Sequence, residues 1–204
     1  MNDAEMIAKW DEHISYEFST RDVSSTIATM VEDAYVNHVP VMTGGYGHEA
    51  LRKFYAEDFI SLMPADTSIH LISRTLGHSQ QGEAQLVDEM IFSFTHTEEM
   101  PWMLPGISPT HRHVDIPLVV VVGFRDGKLA HERIYWDQAS VLKQIGLLTD
   151  PSLLPQRSAR RTDSLLGRGG RRAPESACYY WAVFQSPNRC DPGCRTQKRW
   201  NRAV

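Results

Sequence analysis

A chain of 204 residues, 42% of them hydrophobic and 23% charged, has the size for one well-buried domain plus an appendage and the composition of an ordinary soluble protein. No apolar run approaches the about 20 residues needed to cross a bilayer. The opening MNDAEMIAKWDEH lacks the basic and apolar segments of a secretory signal, so a cytoplasmic protein with no membrane partner is expected. The net charge of −4 hides a split: residues 1–156 hold 10 Lys/Arg against 22 Asp/Glu, and residues 157–204 hold 11 against 3. All nine histidines lie in the acidic part and all three cysteines in the basic part, so two kinds of sequence meet near Pro155.

In chain order, Ile7, Trp10, Ile14 and Phe18 recur at three- and four-residue steps and predict an amphipathic helix over 4–18. Asp22 is a good N-cap for a second helix with Ile27, Met30 and Val31 inward. Tyr35 to Val39 reads as a short strand that stops at Pro40, with His38 either facing a cavity or serving as a packed structural residue. Thr43-Gly-Gly-Tyr-Gly47 invites a phosphate-loop reading, which fails because His48-Glu49 stand where that motif needs Lys-Ser/Thr. The glycines instead predict a tight, positive-φ entry to a helix whose stripe is Leu51, Phe54, Tyr55, Phe59 and Leu62, ending before Pro64.

Extended structure follows from Ser68 to Thr97, broken by the polar turn His78–Gly82. In its second half Leu86, Asp88, Met90, Phe92, Phe94 and His96 share one parity, and Val87, Glu89, Ile91, Ser93 and Thr95 the other. Asp88 or Glu89 with His96 is therefore a candidate acid/base group, or each is a rim residue. Met100-Pro-Trp-Met-Leu-Pro-Gly106 is an apolar loop, expected to cover a pocket mouth or a subunit seam, with Trp102 and Met103 as lining residues. His111-Arg-His113 supplies two alternate histidines, short of the three or four ligands zinc takes, so no metal site is expected.

Ile116–Phe124 and Leu129–Trp136 read as two strands around Asp126-Gly127, a type I′ hairpin signal. Val119–Val122 puts valine on both faces, which predicts a sheet covered on both sides and a homodimer through the outer face. On the second strand Ala130, Glu132, Ile134 and Trp136 share one face, while Leu129, His131, Arg133 and Tyr135 share the other. An apolar setting of that kind raises a carboxylate's pKa and makes it a proton carrier near neutrality. The alternative is a Glu132 that points to solvent or pairs with an arginine. Asp137 either caps the helix expected over Ala139–Leu148 or supplies an outer pocket carboxylate.

The segments HERIYWDQASVLKQIGLL, FRDGKL, MPWMLPGISPT and TGGYGHEALRKFYAEDF together resemble the SnoaL-like, polyketide cyclase-like branch of the nuclear transport factor 2-like superfamily, over most of residues 10–150. The resemblance implies an α+β fold in which a cone-shaped, curved antiparallel sheet wraps N-terminal helices around a deep pocket. The superfamily includes cyclases, isomerases, dehydratases, epoxide hydrolases and pockets with no known chemistry, so fold alone does not choose among them.

The expectation is then a SnoaL-like domain over 1–150 and a basic, disordered tail over 151–204. The tail's Cys190-Asp-Pro-Gly-Cys194 and Cys178 fall short of a zinc set, and its charge makes nucleic acid a lesser expectation. The expected chemistry is general acid–base catalysis of cyclisation, isomerisation, hydration or dehydration of a mostly apolar small-molecule substrate, with no cofactor. Glu132 is the first choice of proton carrier, then His96 with Asp88 or Glu89, then His38 and Asp137. Tyr35, Trp102, Met103, Arg133 and Trp136 are the expected substrate-positioning residues. The rival reading is a non-catalytic ligand-binding or dimerisation module of the same fold.

Overall fold

The computed structural model describes residues 1–153; the expectation of a disordered tail over 151–204 lies outside them but for Pro151–Leu153, a 3₁₀ turn. The chain enters through α1 (Asp3–Ile14), whose first turn is closed by a reciprocal capping box. The Asn2 side chain accepts from the Glu5 amide at 3.0 Å, and the Asn2 amide donates to the Glu5 carboxylate at 2.9 Å. The stripe read from the sequence does continue to Phe18, but as a wider turn: Ser15–Ser19 is π-helical, with the Thr20 amide bonded to the Ser15 carbonyl at 3.0 Å. Asp22 caps α2 (Val23–Ala28), its carboxylate accepting from the Ser24 and Ser25 amides.

The expected second helix is shorter than its apolar pattern suggested. Met30 and Val31 are buried as the sequence implies, but as the first residues of β1 (Met30–His38). Their neighbours decide this, because the Leu129 amide reaches across to the Thr29 carbonyl and starts a parallel pairing. The glycine-rich segment is β2 (Thr43–Tyr46), antiparallel to β1, and it leads into α3 (Gly47–Lys53). Gly44, at φ +133°, lies so close to the Val36 carbonyl that no Cβ fits. A second π-helical turn, Phe54–Phe59, extends α3 and gives way to a 3₁₀ turn ending at Leu62, just before Pro64.

The remaining strands are β3 (Ser68–His78), β4 (Ala84–Thr95), β5 (His113–Arg125) and β6 (Lys128–Trp136), followed by α4 (Gln138–Gln144). The sheet order is β2-β1-β6-β5-β4-β3, antiparallel except where β1 meets β6. This is the nuclear transport factor 2-like arrangement of N-terminal helices on a curved open sheet. The β5–β6 turn has φ +53° at Asp126 and +77° at Gly127, as a type I′ hairpin requires.

One face of the sheet carries the core. Leu86, Met90, Phe92 and Phe94 of β4, the even residues Val114–Val122 of β5, and Ala130, Ile134 and Trp136 of β6 are buried together with Met6, Trp10, Tyr55 and Phe59 from the helical layer. On the other face Val119 and Val121 are half-buried and Tyr135 is exposed. The register of the β3–β4 ladder shifts in β3, between Leu71 and Ser73, and β4 itself carries no irregularity against β3 or β5. Parity therefore holds along β4, and Asp88 and Glu89 fall on opposite faces.

Candidate active site

A cavity lies between the helical layer and the concave side of the sheet. It offers about 50 Å³ to the centre of a water-sized sphere. Its walls are largely aromatic and aliphatic: Trp10, Phe18, Phe59, Phe92 and Trp102, with aliphatic residues from β1, β4, β5 and β6. Four polar side chains join them, namely Glu17, His38, Tyr55 and Glu132. Glu17 and Phe18 come from one π-helical turn, and Tyr55 and Phe59 from the other. Such turns recur at functional sites because the widened ladder redirects side chains.

The polar end is a tight cluster around His13, which is fully buried behind the cavity wall. Its Nε2 lies 3.1 Å from Glu17 Oε1 and 3.1 Å from Glu132 Oε1. The Tyr55 hydroxyl is 3.3 Å from Glu132 Oε1 and 3.4 Å from His13 Nε2. Hydrogen bonding fixes the other ring nitrogen. The Thr29 hydroxyl donates to the Thr26 carbonyl at 2.6 Å, so it can only accept from His13 Nδ1–H, also at 2.6 Å. Nε2 is thereby left facing two carboxylates.

Burial works against a charged imidazole, but the carboxylates of Glu132 and Glu17 outweigh it and raise His13 to about 10. An imidazolium with two carboxylates would leave a buried net charge of −1. Burial pushes Glu17 upward, only partly opposed by His13, which favours its protonated form. Burial, reinforced by both carboxylates, raises Tyr55 far above its ordinary range, which keeps it a hydroxyl donor. His13 Nε2 thus stands within proton-transfer distance of both Glu17 and Glu132. The same three ligand atoms lie within 4.8 Å of one another, close enough to hold a divalent cation as well.

Trp10 stacks on His13 at 5.5 Å between ring centroids and 14° between planes, a contact that favours the imidazolium. The indole is held in turn: its Nε1 donates to Asp88 Oδ2 at 2.8 Å, while Arg74 grips both oxygens of Asp88 at 2.7 and 2.8 Å.

The other sequence candidates separate by position. Glu132 faces the cavity with Ile134, as the β6 parity implies, and Val36 pairs with it across the β1–β6 ladder. His38 also lines the cavity, boxed by Phe54, Phe59, Trp102 and Trp136 with ring centroids 5.0–5.8 Å away. Its burial lowers it to about 4, so the ring is neutral. Trp102 is a cavity wall, while Met103 is buried behind it and Trp136 packs edge-on against it.

Six further candidates, besides Met103 and Trp136, do not line the cavity. Asp88 is buried on the inner face but committed to Arg74 and Trp10. Glu89 is on the opposite face, where it accepts from the Ser73 hydroxyl. His96 follows the end of β4 and bonds with Thr110, 3.2 Å away. Asp137 is the α4 cap, accepting from the Ala139 amide and the Ser140 hydroxyl. Tyr35 stacks on His131 on the outer face, at 5.2 Å and 15°, and Arg133 shares that face. His111 and His113 are exposed, and His113 pairs with Asp115 at 3.1 Å.

The residues that sequence reasoning missed are His13, Glu17 and the polar role of Tyr55. The signal existed: His13 and Glu17 are four apart and fall on the same helical face as Trp10, Ile14 and Phe18. Reading only the apolar members of that stripe hid them.

The family model described as SnoaL-like polyketide cyclase matches residues 13–145, and so spans the whole cluster from His13 to Glu132. No curated protein sequence matches this chain. Among solved structures, TsrD from Streptomyces laurentii is similar at TM-score 0.54 and 18% identity, over 72% of this chain and 99% of its own. AclR, a proposed hydroxylase from Streptomyces galilaeus, gives 0.53 and 19% over 73% and 89%. A proposed SnoaL-like polyketide cyclase from Jannaschia sp. CCS1 gives 0.52 and 17% over 70% and 94%. At such identities these likenesses speak for the fold. The match over residues 13–145 goes further: the chain belongs to the SnoaL-like polyketide cyclase family.

Proposed function

We propose that the chain is a small-molecule enzyme of cyclase or isomerase type, acting on a mostly apolar substrate by general acid–base catalysis without metal or organic cofactor. The family supports a small-molecule role of that type. The observation that carries the mechanism is the buried His13–Glu17–Glu132 set at the end of an apolar cavity.

In this reading Glu132, which Tyr55 and His13 hydrogen-bond, takes a proton from an acidic C–H of the substrate. Glu17, whose protonated form burial favours, returns a proton to the product. His13 Nε2 stands 3.1 Å from both carboxylates and resets the site by giving a proton to Glu17 and accepting one from Glu132. Cyclisation, isomerisation and movement of water all share that exchange. Dry apolar walls and a positioned acid/base pair together supply a factor of roughly 10²–10⁴ in rate.

No helix among the described residues is long and apolar enough to cross a membrane. A cytoplasmic homodimer is the proposed setting, joined through the outer sheet face around Val119 and Val121. The test of function is turnover of enolisable ketones and β-keto esters by the full chain with and without chelator. Chelator-insensitive turnover that Glu132→Gln abolishes supports the reading. Chelator-sensitive turnover assigns the same three residues to a metal, and no turnover by either protein favours the non-catalytic pocket.

A further inference from the structure

Thr29 is buried where three elements meet, and it does not line the cavity. It is the C-cap of α2 and the residue before β1, and its carbonyl accepts the Leu129 amide at 3.0 Å. That bond opens the pairing of β1 with β6, the strand that presents Glu132 three residues further on. Its side chain reaches α1, with the hydroxyl oxygen 2.6 Å from His13 Nδ1. One residue thereby ties the helix that carries His13 to the strand that carries Glu132.

The Thr29 hydroxyl has one hydrogen and two contacts at 2.6 Å, to His13 Nδ1 and to the Thr26 carbonyl. A carbonyl only accepts, so the hydroxyl hydrogen lies toward Thr26 and Nδ1 must carry its own. The Thr26 carbonyl is held in the last turn of α2, where it also takes the Thr29 amide at 3.2 Å. The Thr26 hydroxyl is anchored in turn on the Asp22 carbonyl at 2.8 Å. Around the ring, Glu17, Glu132 and Tyr55 gather at Nε2 and Trp10 covers a face. Among the described residues only Thr29 hydrogen-bonds Nδ1.

The side on which that hydrogen sits decides what Nε2 can do. A neutral imidazole has one N–H and one lone pair. Were the hydrogen on Nε2, between two carboxylates, giving it up would leave an imidazolate. With the hydrogen held on Nδ1, Nε2 alternates between N–H and lone pair, donating to one carboxylate and accepting from the other.

We propose that Thr29 is a positioning residue: by holding the Nδ1 hydrogen of His13 it makes Nε2 the one nitrogen that passes protons between Glu17 and Glu132. This rests on the acid–base reading of the cluster and adds to it a part that no cavity-lining residue supplies.

The test is ¹H–¹⁵N NMR of the His13 ring in the full chain at neutral pH, comparing the wild type with Thr29→Ser and Thr29→Val. The wild type and Thr29→Ser, which keeps the hydroxyl, should carry hydrogen on Nδ1. Thr29→Val keeps the shape without the acceptor, so its ring should lose the Nδ1 hydrogen and retain one on Nε2. Exchange of enolisable ketones in D₂O should slow in kcat by roughly 10–100-fold in Thr29→Val, the scale of one hydrogen bond to a charged group. KM should change little, and Thr29→Ser should stay close to the wild type. A residue that only supports the fold would lower stability without changing which ring nitrogen is protonated. An Nδ1 without hydrogen in the wild type overturns the proposal and needs no variant to fold, and an Nδ1 hydrogen that persists in Thr29→Val overturns it as well. The expected NMR pattern in a wild type that exchanges nothing supports the positioning role and counts only against the catalytic reading. Exchange as fast in Thr29→Val as in the wild type overturns the proposal and leaves that reading standing.

Discussion

Raising the pH from 6.5 to 9 should destabilise the fold through one residue. His13 binds its proton up to about 10 in the folded chain, against 6.5 for a free imidazole. A group whose folded pKa is raised contributes its full stability below the unfolded value and loses it as pH climbs toward the folded one. The gap corresponds to about 5 kcal/mol across the whole window, and to roughly 3 kcal/mol between pH 6.5 and 9. That is a large share of a domain's typical 5–15 kcal/mol. Glu17, also raised, acts in the same direction, since its proton too is bound more tightly in the fold. Urea unfolding followed by tryptophan fluorescence at half-unit pH steps measures the slope. His13→Gln keeps an amide donor for the carboxylates and should be less stable at pH 6.5, with a smaller slope up to pH 9, the remainder coming from Glu17. A wild-type stability that stays flat over that range, or a slope undiminished in His13→Gln, would refute the buried imidazolium.

The packing makes two further predictions. Asp88→Asn should cost about 3 kcal/mol by urea unfolding, because it leaves Arg74 without its bidentate partner beside the buried Trp10 indole; a cost below about 1 kcal/mol, an exposed pair's worth, would show the pair to be peripheral. Gly123→Ala would drive a methyl group into the His131 ring and should cost about 1–3 kcal/mol, with loss of the ring-current shift that Tyr35 imposes on His131; an unchanged His131 spectrum would show the stack to be incorrect.

Much of this architecture was legible because it is local. Asp126-Gly127 dictates its own backbone geometry, and Asp22 signals a cap without reference to the rest of the chain. The period-two pattern of β6 put Glu132 beside Ile134 before any neighbour was known. What stayed hidden depends on distant partners. Asp88 looked like a proton carrier because its strand parity is inward, and only Arg74, across the β3–β4 ladder, makes it structural. Asp137 admitted a cap or a pocket carboxylate, and the positions of Ala139 and Ser140 decide for the cap. His13 and Glu17 acquire their meaning from Glu132, more than 100 residues later, so no spacing within α1 and its π-helical extension could assign them a shared proton.

Proton abstraction itself can be measured without knowing which reaction follows. Enolisable aromatic ketones and β-keto esters incubated with the full chain in D₂O report exchange at the α-carbon by NMR and mass spectrometry. Exchange above the buffer rate, reduced roughly 10²–10⁴-fold by Glu132→Gln while that variant keeps its fold, is the result the proposed mechanism predicts. Exchange that proceeds equally well in Glu132→Gln would contradict a proton-transfer centre at His13, Glu17 and Glu132.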